Sequence, residues 1–191
     1  MSGPYANARR EYPNMEYILS SMDSPGAPIM ARSLQKRLPG KNSARERVLE
    51  ILIVEDNRGD SELLRSAFSG WESETNLAVV EDGEQALLYV HQVGKYAGSP
   101  RPDLILLDLN LPRRSGIEVL TAIKSDPGLQ QIPVVVLTTS DRKEDVANAY
   151  RLHANSYLTK TVDVYDFFSK IRALEEYWLS TVRLPSDNLV V

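Results

Sequence analysis

The feature that most constrains this chain is a five-fold alternation of short apolar runs with helical patterns, starting at Leu49. Residues 49–54 form the first run, and an amphipathic stretch over about 58–70 carries Leu63, Leu64 and Phe68 on one face. Residues 77–80 precede a pattern with Ala86, Leu87 and Val90; residues 103–107 precede one over about 116–125 with Val119, Leu120 and Ile123 inward. The last two runs, 133–137 and 154–158, lead into helices expected at about 142–151 and 163–183. Runs apolar at every position suit strands buried on both faces, as in a parallel sheet, whose neighbouring strands need crossover connections. Right-handed crossovers then cover both faces with helices, so the expected fold is α/β, a doubly wound five-stranded parallel sheet. In such sheets the chemistry gathers beyond the carboxyl ends of the strands, near the topological switch point.

Composition narrows what that chemistry can be. With no Cys and only His91 and His153, disulfides, thiolate zinc sites, a cysteine nucleophile and multi-histidine metal sites are excluded. The net charge of −4 speaks against a nucleic-acid-binding surface. It averages two unlike parts, because residues 1–47 carry +4 and the rest carries −8. The 1–47 segment holds five of the 11 Pro and no sustained period, and is read as a disordered or loosely ordered basic arm. The folded domain is expected over 48–185, with 186–191 a tail. The sequence offers neither a run of 18 apolar residues nor a secretory leader, so no membrane insertion and a cytoplasmic location are expected.

The strand ends carry a specific set. The first run ends in Glu55 and Asp56, the third in Asp108, the fourth in Thr138, Thr139 and Ser140, and Lys160 follows the fifth. Crowded carboxylates repel unless a cation or protons intervene, and hard oxygen donors at an open site suit Mg²⁺. Lys160 adds a mobile point charge for a phosphoryl oxygen and Thr138 a hydroxyl donor. A carboxylate nucleophile beside a metal and a lysine is an arrangement for accepting a phosphoryl group.

On these segments, 53–57, 106–112, 137–140 and 157–160, the chain from about 48 to 182 resembles the receiver domain of two-component response regulators. The resemblance implies a flavodoxin-like receiver fold with strand order 2-1-3-4-5. It implies that Asp108 takes a phosphoryl group from a phosphohistidine on a sensor histidine kinase, the chain itself being no enzyme. Glu55, Asp56, Asp108 and the backbone carbonyl of Asn110 would hold Mg²⁺, Glu55 through water. Thr138 and the Thr139 amide would meet the phosphoryl oxygens, Lys160 would pair with one, and Tyr157 would rotate as Thr138 shifts. One departure stands out: Thr161 follows Lys160, where most receivers have proline, often joined by a cis bond, which leaves the aim of Lys160 open. Segments 99–112 and 177–185 are further similar to the stand-alone regulators that serve bacterial phytochromes, which implies a light-sensing kinase as partner.

No DNA-binding output domain is expected after residue 185, so the output is expected to be a protein contact, a phosphotransfer or dimerisation. Val164, Phe167, Phe168, Ile171, Leu174, Trp178 and Val182 recur at spacings of 3 or 4 on one face of an extended last helix. Its first half must cover the sheet, and Tyr177 and Trp178 add large apolar area to its end; Phe168, Ile171, Tyr177, Trp178 and Val182 are the interface candidates. With the fourth helix and fifth strand, that face is expected to form a homodimer. Arg113 and Arg114, just past Asp108, are placed to meet a kinase, while His91 and His153 are expected at the surface. A flavodoxin-like nucleotide binder is disfavoured because residues 57–60 hold a single glycine and an acid. A dehalogenase-like phosphatase is disfavoured because Asn110 stands where its second acid would be, and a degenerate receiver because the acidic, hydroxyl and lysine set is intact.

Overall fold

The computed structural model describes residues 48–68 and 75–185; the expected basic arm and the tail lie outside them. Five strands form one parallel sheet: β1 (Leu49–Val54), β2 (Thr75–Val80), β3 (Leu104–Leu107), β4 (Val134–Thr138) and β5 (Ser156–Thr159). Their order is β2-β1-β3-β4-β5, so the winding reverses between β1 and β3 and opens a crevice past their ends. The helices are α1 (Arg58–Phe68), α2 (Gly83–Val90), α3 (Gly116–Ser125), α4 (Lys143–Arg151) and α5 (Val164–Glu175).

Successive side chains of a strand point to opposite faces, and the core divides accordingly. Ile51, Ile53, Leu104, Leu106, Val135 and Leu137 pack on one side with Leu63, Leu64 and Phe68 of α1 and Phe167, Phe168 and Ile171 of α5. Leu52, Val54, Ile105, Leu107, Val134 and Val136 pack on the other with Ala86, Val119, Leu120 and Ile123, from α2 and α3. Helix α4 joins that second side through a single fully buried residue, Ala149. Few buried apolar contacts make it the most loosely anchored of the five helices.

Strand β2 begins two residues earlier than expected, at Thr75, and β4 is shifted by one residue, to Val134–Thr138. Three further boundaries differ. Strand β3 starts at Leu104: the Asp103 N–H donates to the Glu50 carbonyl at 2.7 Å, but the Glu50 N–H is received by the Asp103 carboxylate, at 2.9 Å. Strand β5 starts at Ser156: the Asn155 N–H donates to the Val134 carbonyl at 2.8 Å, but the Val134 N–H is received by the Asn155 side chain, at 2.9 Å. The last helix does not run unbroken to Arg183: α5 ends at Glu175, and Glu176–Thr181 forms a wide π-helical turn. There the Val182 N–H bonds the Tyr177 carbonyl, five residues back, at 3.1 Å. The wide turn seats Leu179, five residues after Leu174, in the core at 3% exposure.

This turn also corrects the expected dimer face. Phe168 and Ile171 lie inside the core at 7% and 0% exposure, so their side chains have almost no surface left for a partner. Trp178 is half-buried against the same core, Val182 is partly covered, and Tyr177 remains 51% exposed.

Candidate functional site

Each functional side chain stands at the end of an element the core fixes. Just past β1, Glu55 is 2% exposed, and its N–H continues the sheet by donating to the Val80 carbonyl at 3.0 Å. Just past β3, Asp108 is 5% exposed, and its N–H donates to the Val54 carbonyl at 3.0 Å. Past β5, the Lys160 N–H donates to the Thr138 carbonyl at 2.8 Å. Sheet hydrogen bonding thus carries on one residue beyond the strands and sets these three backbones side by side. The close approach of α3 completes the floor. A Cβ on Gly116 would stand 2.0 Å from the Asp108 carbonyl oxygen, so only glycine fits under the acceptor loop. Ser115 caps that helix through a reciprocal capping box with Glu118.

The Lys160 ammonium sits at the centre, its side chain 5% exposed. It donates to Glu55 Oε2 at 2.5 Å, Asp108 Oδ2 at 2.6 Å and Asp60 Oδ2 at 2.8 Å. Burial alone would pull the lysine pKa down, but Glu55, Asp108 and Asp60 outweigh it and push it up, so Lys160 is charged at any physiological pH. Burial acts on Glu55 in the opposite sense: it raises that carboxyl to about 7 in spite of the lysine, with Asp108 and Asp60 adding repulsion. The Lys160–Thr161 peptide is trans, which answers the question the missing proline raised.

The expected metal ligands come together. Glu55, Asp56 and Asp108 each offer a carboxylate oxygen within 4.8 Å of the others, with Asp56 exposed to solvent. Hard oxygen donors, one of them open to water, fit a small divalent cation such as Mg²⁺ or Mn²⁺. Asn110 links this group to β4: its N–H donates to Asp108 Oδ1 at 3.0 Å, and its amide Nδ2 donates to Thr138 Oγ1 at 3.3 Å. Thr138 is fully buried, while the neighbouring Thr139 is exposed. The Tyr157 hydroxyl donates to the Ser140 carbonyl at 2.9 Å, and Ser140 Oγ donates to Asp145 of α4 at 2.6 Å. The loop that carries Thr138 is therefore connected both to β5 and to the loosely anchored α4.

Two residues do more than the sequence reading gave them. Asn110, beyond the expected backbone carbonyl, ties Asp108 to the Thr138 hydroxyl, its backbone N–H meeting the first and its side-chain amide the second. Asp60 was read only as an acid spoiling a phosphate loop, yet it contacts the lysine. The available signal was its register: Asp60, Leu63, Leu64 and Ala67 follow the spacing of one helix face, and an acid on the buried stripe of an amphipathic helix needs a partner. Arg113, expected to face a kinase, adopts φ 64° and pairs with the buried Asp82 at 3.0 Å, its side chain still 60% exposed. His91 and His153 lie at the surface, as expected.

A parallel five-stranded sheet with an acidic trio, a hydroxyl and a lysine at its switch point has the make-up of a receiver domain, and residues 51–172 match the response regulator receiver domain family. The chain belongs to that family. It is 47% identical over 136 residues to the response regulator Rcp1 of Synechocystis sp., covering 71% of this chain and 92% of that one. Its fold matches the crystal structure of the phosphorylated cyanobacterial phytochrome response regulator RcpA with a TM-score of 0.71 and 47% identity, over 73% of this chain and 99% of that one. The Mn²⁺-bound form of Rcp1 matches with a TM-score of 0.69 and 45% identity, over 72% of this chain and 99% of that one. The chain is thus a receiver related to phytochrome response regulators. Among the described residues no helix is long and apolar enough to cross a membrane.

Proposed function

We propose that the chain accepts a phosphoryl group on Asp108 from the phosphohistidine of a phytochrome-type sensor histidine kinase, with Mg²⁺ bound by Glu55, Asp56, Asp108 and the Asn110 carbonyl. The observation that carries this reading is the convergence of Lys160 on Asp108 at 2.6 Å beside the acidic trio. In the transfer, a bond forms between an Asp108 carboxylate oxygen and phosphorus as the phosphorus–nitrogen bond to the kinase imidazole breaks, and the electron pair returns to that ring. Bound Mg²⁺ would supply charge neutralisation for the phosphoryl oxygens. Lys160 contributes a fixed positive charge to one of them, and the Thr138 hydroxyl and Thr139 amide donate to the others. Thr138 accepts from Asn110 and keeps its own O–H for donation, and a shift of Thr138 toward the phosphoryl group would pass through the Ser140 loop to Tyr157 and α4. The phytochrome assignment draws support from the likeness to the cyanobacterial phytochrome response regulator RcpA, and a cytoplasmic location would suit such a partner.

The test is incubation with acetyl phosphate and Mg²⁺, read by intact mass, followed by transfer from a phosphorylated phytochrome kinase. Wild type is expected to gain one phosphoryl group from each donor and Asp108→Asn none. Equal gain by the mutant would remove Asp108 from the mechanism; gain from acetyl phosphate alone would remove the phytochrome partner. The output is read as a protein contact, with homodimerisation through the exposed Tyr177 and the half-buried Trp178 of the π-helical turn.

A further inference from the structure

We propose that Asp60 is a positioning residue for phosphoryl transfer: it holds the Lys160 ammonium in place while Glu55 and Asp108 serve the metal and the incoming phosphoryl group. This rests on the reading of Asp108 as the acceptor and adds a residue to it.

An ammonium has three N–H donors, and the three carboxylates around Lys160 match them. The three are not equivalent. Glu55 and Asp108 belong to the oxygen group that fits a divalent cation; Asp60 does not. Asp108 is also the atom source for the new bond to phosphorus. A cation and a phosphoryl group arriving together therefore compete for two of the lysine's three partners and leave Asp60 as the partner outside the metal-ligand group.

Among the described residues, Glu55, Asp108 and Asp60 are the groups hydrogen-bonded to the lysine head. Its stem is a flexible four-carbon chain, whose ordering costs rotamer entropy. The loop beyond it is thinly packed, with Val162 97% exposed. Asp60, in contrast, is set on a rigid support. Its N–H is held by Asn57 Oδ1 at 3.1 Å in the first turn of α1, and the rest of that helix is buried under the sheet through Leu63, Leu64, Ala67 and Phe68. The lysine is thus fastened at two points: its backbone to the end of β4, its head to α1. With the phosphoryl group present, the ammonium turns about Asp60, exchanging the Asp108 oxygen for a phosphoryl oxygen.

The experiment measures the rate of phosphorylation by acetyl phosphate against Mg²⁺ concentration for the full chain and for Asp60→Asn, Asp60→Glu, Lys160→Ala and Asp60→Asn/Lys160→Ala, with Mg²⁺ affinity measured separately by calorimetry. Asp60→Asn is expected to lower the rate at saturating Mg²⁺ by on the order of ten- to a hundredfold, the scale of a misplaced catalytic group. Its Mg²⁺ affinity is expected to stay within about twofold of wild type, and the slowing is expected to vanish in the Lys160→Ala background. Asp60→Glu, which keeps the charge but moves it by one methylene, is expected to melt like wild type and still react slowly; it carries the test if Asp60→Asn does not fold. A saturating rate equal to wild type overturns the proposal. So does a rate loss that persists at full size without Lys160, or a loss of Mg²⁺ affinity that saturating metal cures, which would make Asp60 a ligand. Absence of phosphorylation in wild type would instead overturn the reading of Asp108, whatever the Asp60 variants do.

Discussion

At the scale of single residues, the site is an exercise in charge balance: one buried ammonium stands against Glu55, Asp60 and Asp108. Removing one member of a buried ion group leaves its partners uncompensated, at a cost of about 3–5 kcal/mol. Lys160→Ala is therefore expected to destabilise the metal-free protein by that amount in urea denaturation, and Mg²⁺ is expected to restore more stability to the variant than to wild type. An unchanged midpoint would mean that the carboxylates take up protons instead. Asp56, Asp108, Thr138 and Lys160 were legible in the sequence because strand ends in a parallel sheet converge on one rim, and convergence needs only the strand assignments. Asp60 was not, because its meaning depends on a lysine 100 residues away. Nor was the side-chain role of Asn110, which the fold alone brings within 3.3 Å of the Thr138 hydroxyl.

At the scale of elements, the accuracy of the acceptor depends on α3, which lies under it. The Gly116 Cα approaches Asp108 and Leu109 so closely that a methyl group would overlap backbone atoms, and backbone cannot yield as a flexible side chain does. Gly116→Ala is expected to lower stability by about 1–3 kcal/mol in thermal denaturation. It is also expected to slow phosphorylation although residue 116 touches neither metal nor phosphoryl group; a destabilised variant with a wild-type rate would show that the acceptor loop tolerates the shift. The strands were readable from apolar runs and the helices from their stripes, but element ends were not. Asp103 and Asn155 each keep one backbone bond to the neighbouring strand and accept the return bond on a side chain, so that β3 and β5 begin one residue later in the chain. The π-helical turn after α5 was hidden for a similar reason: Leu174 and Leu179 are five apart, a spacing that a regular α-helix does not place on one face.

At the scale of the whole molecule, that turn decides what is left for a partner. Leu179 closes the core, so a chain stopped before Tyr177 would lose core packing as well as any interface. A single substitution separates the two. Tyr177→Ala is expected to leave the melting temperature nearly unchanged, since the side chain is half exposed, and to convert a dimer to a monomer in sedimentation. A dimer that persists would move the interface away from this turn.

The three bonds of Lys160 have a consequence in time. They span 105, 100 and 52 residues of chain, and the lysine belongs to the loop after the last strand to be made. While the nascent polypeptide is still leaving the ribosome, Asp108 has been synthesised but the cation that balances it has not. The charges of the site are therefore brought into balance only when β5 docks at the edge of the sheet and carries Lys160 to Glu55, Asp60 and Asp108.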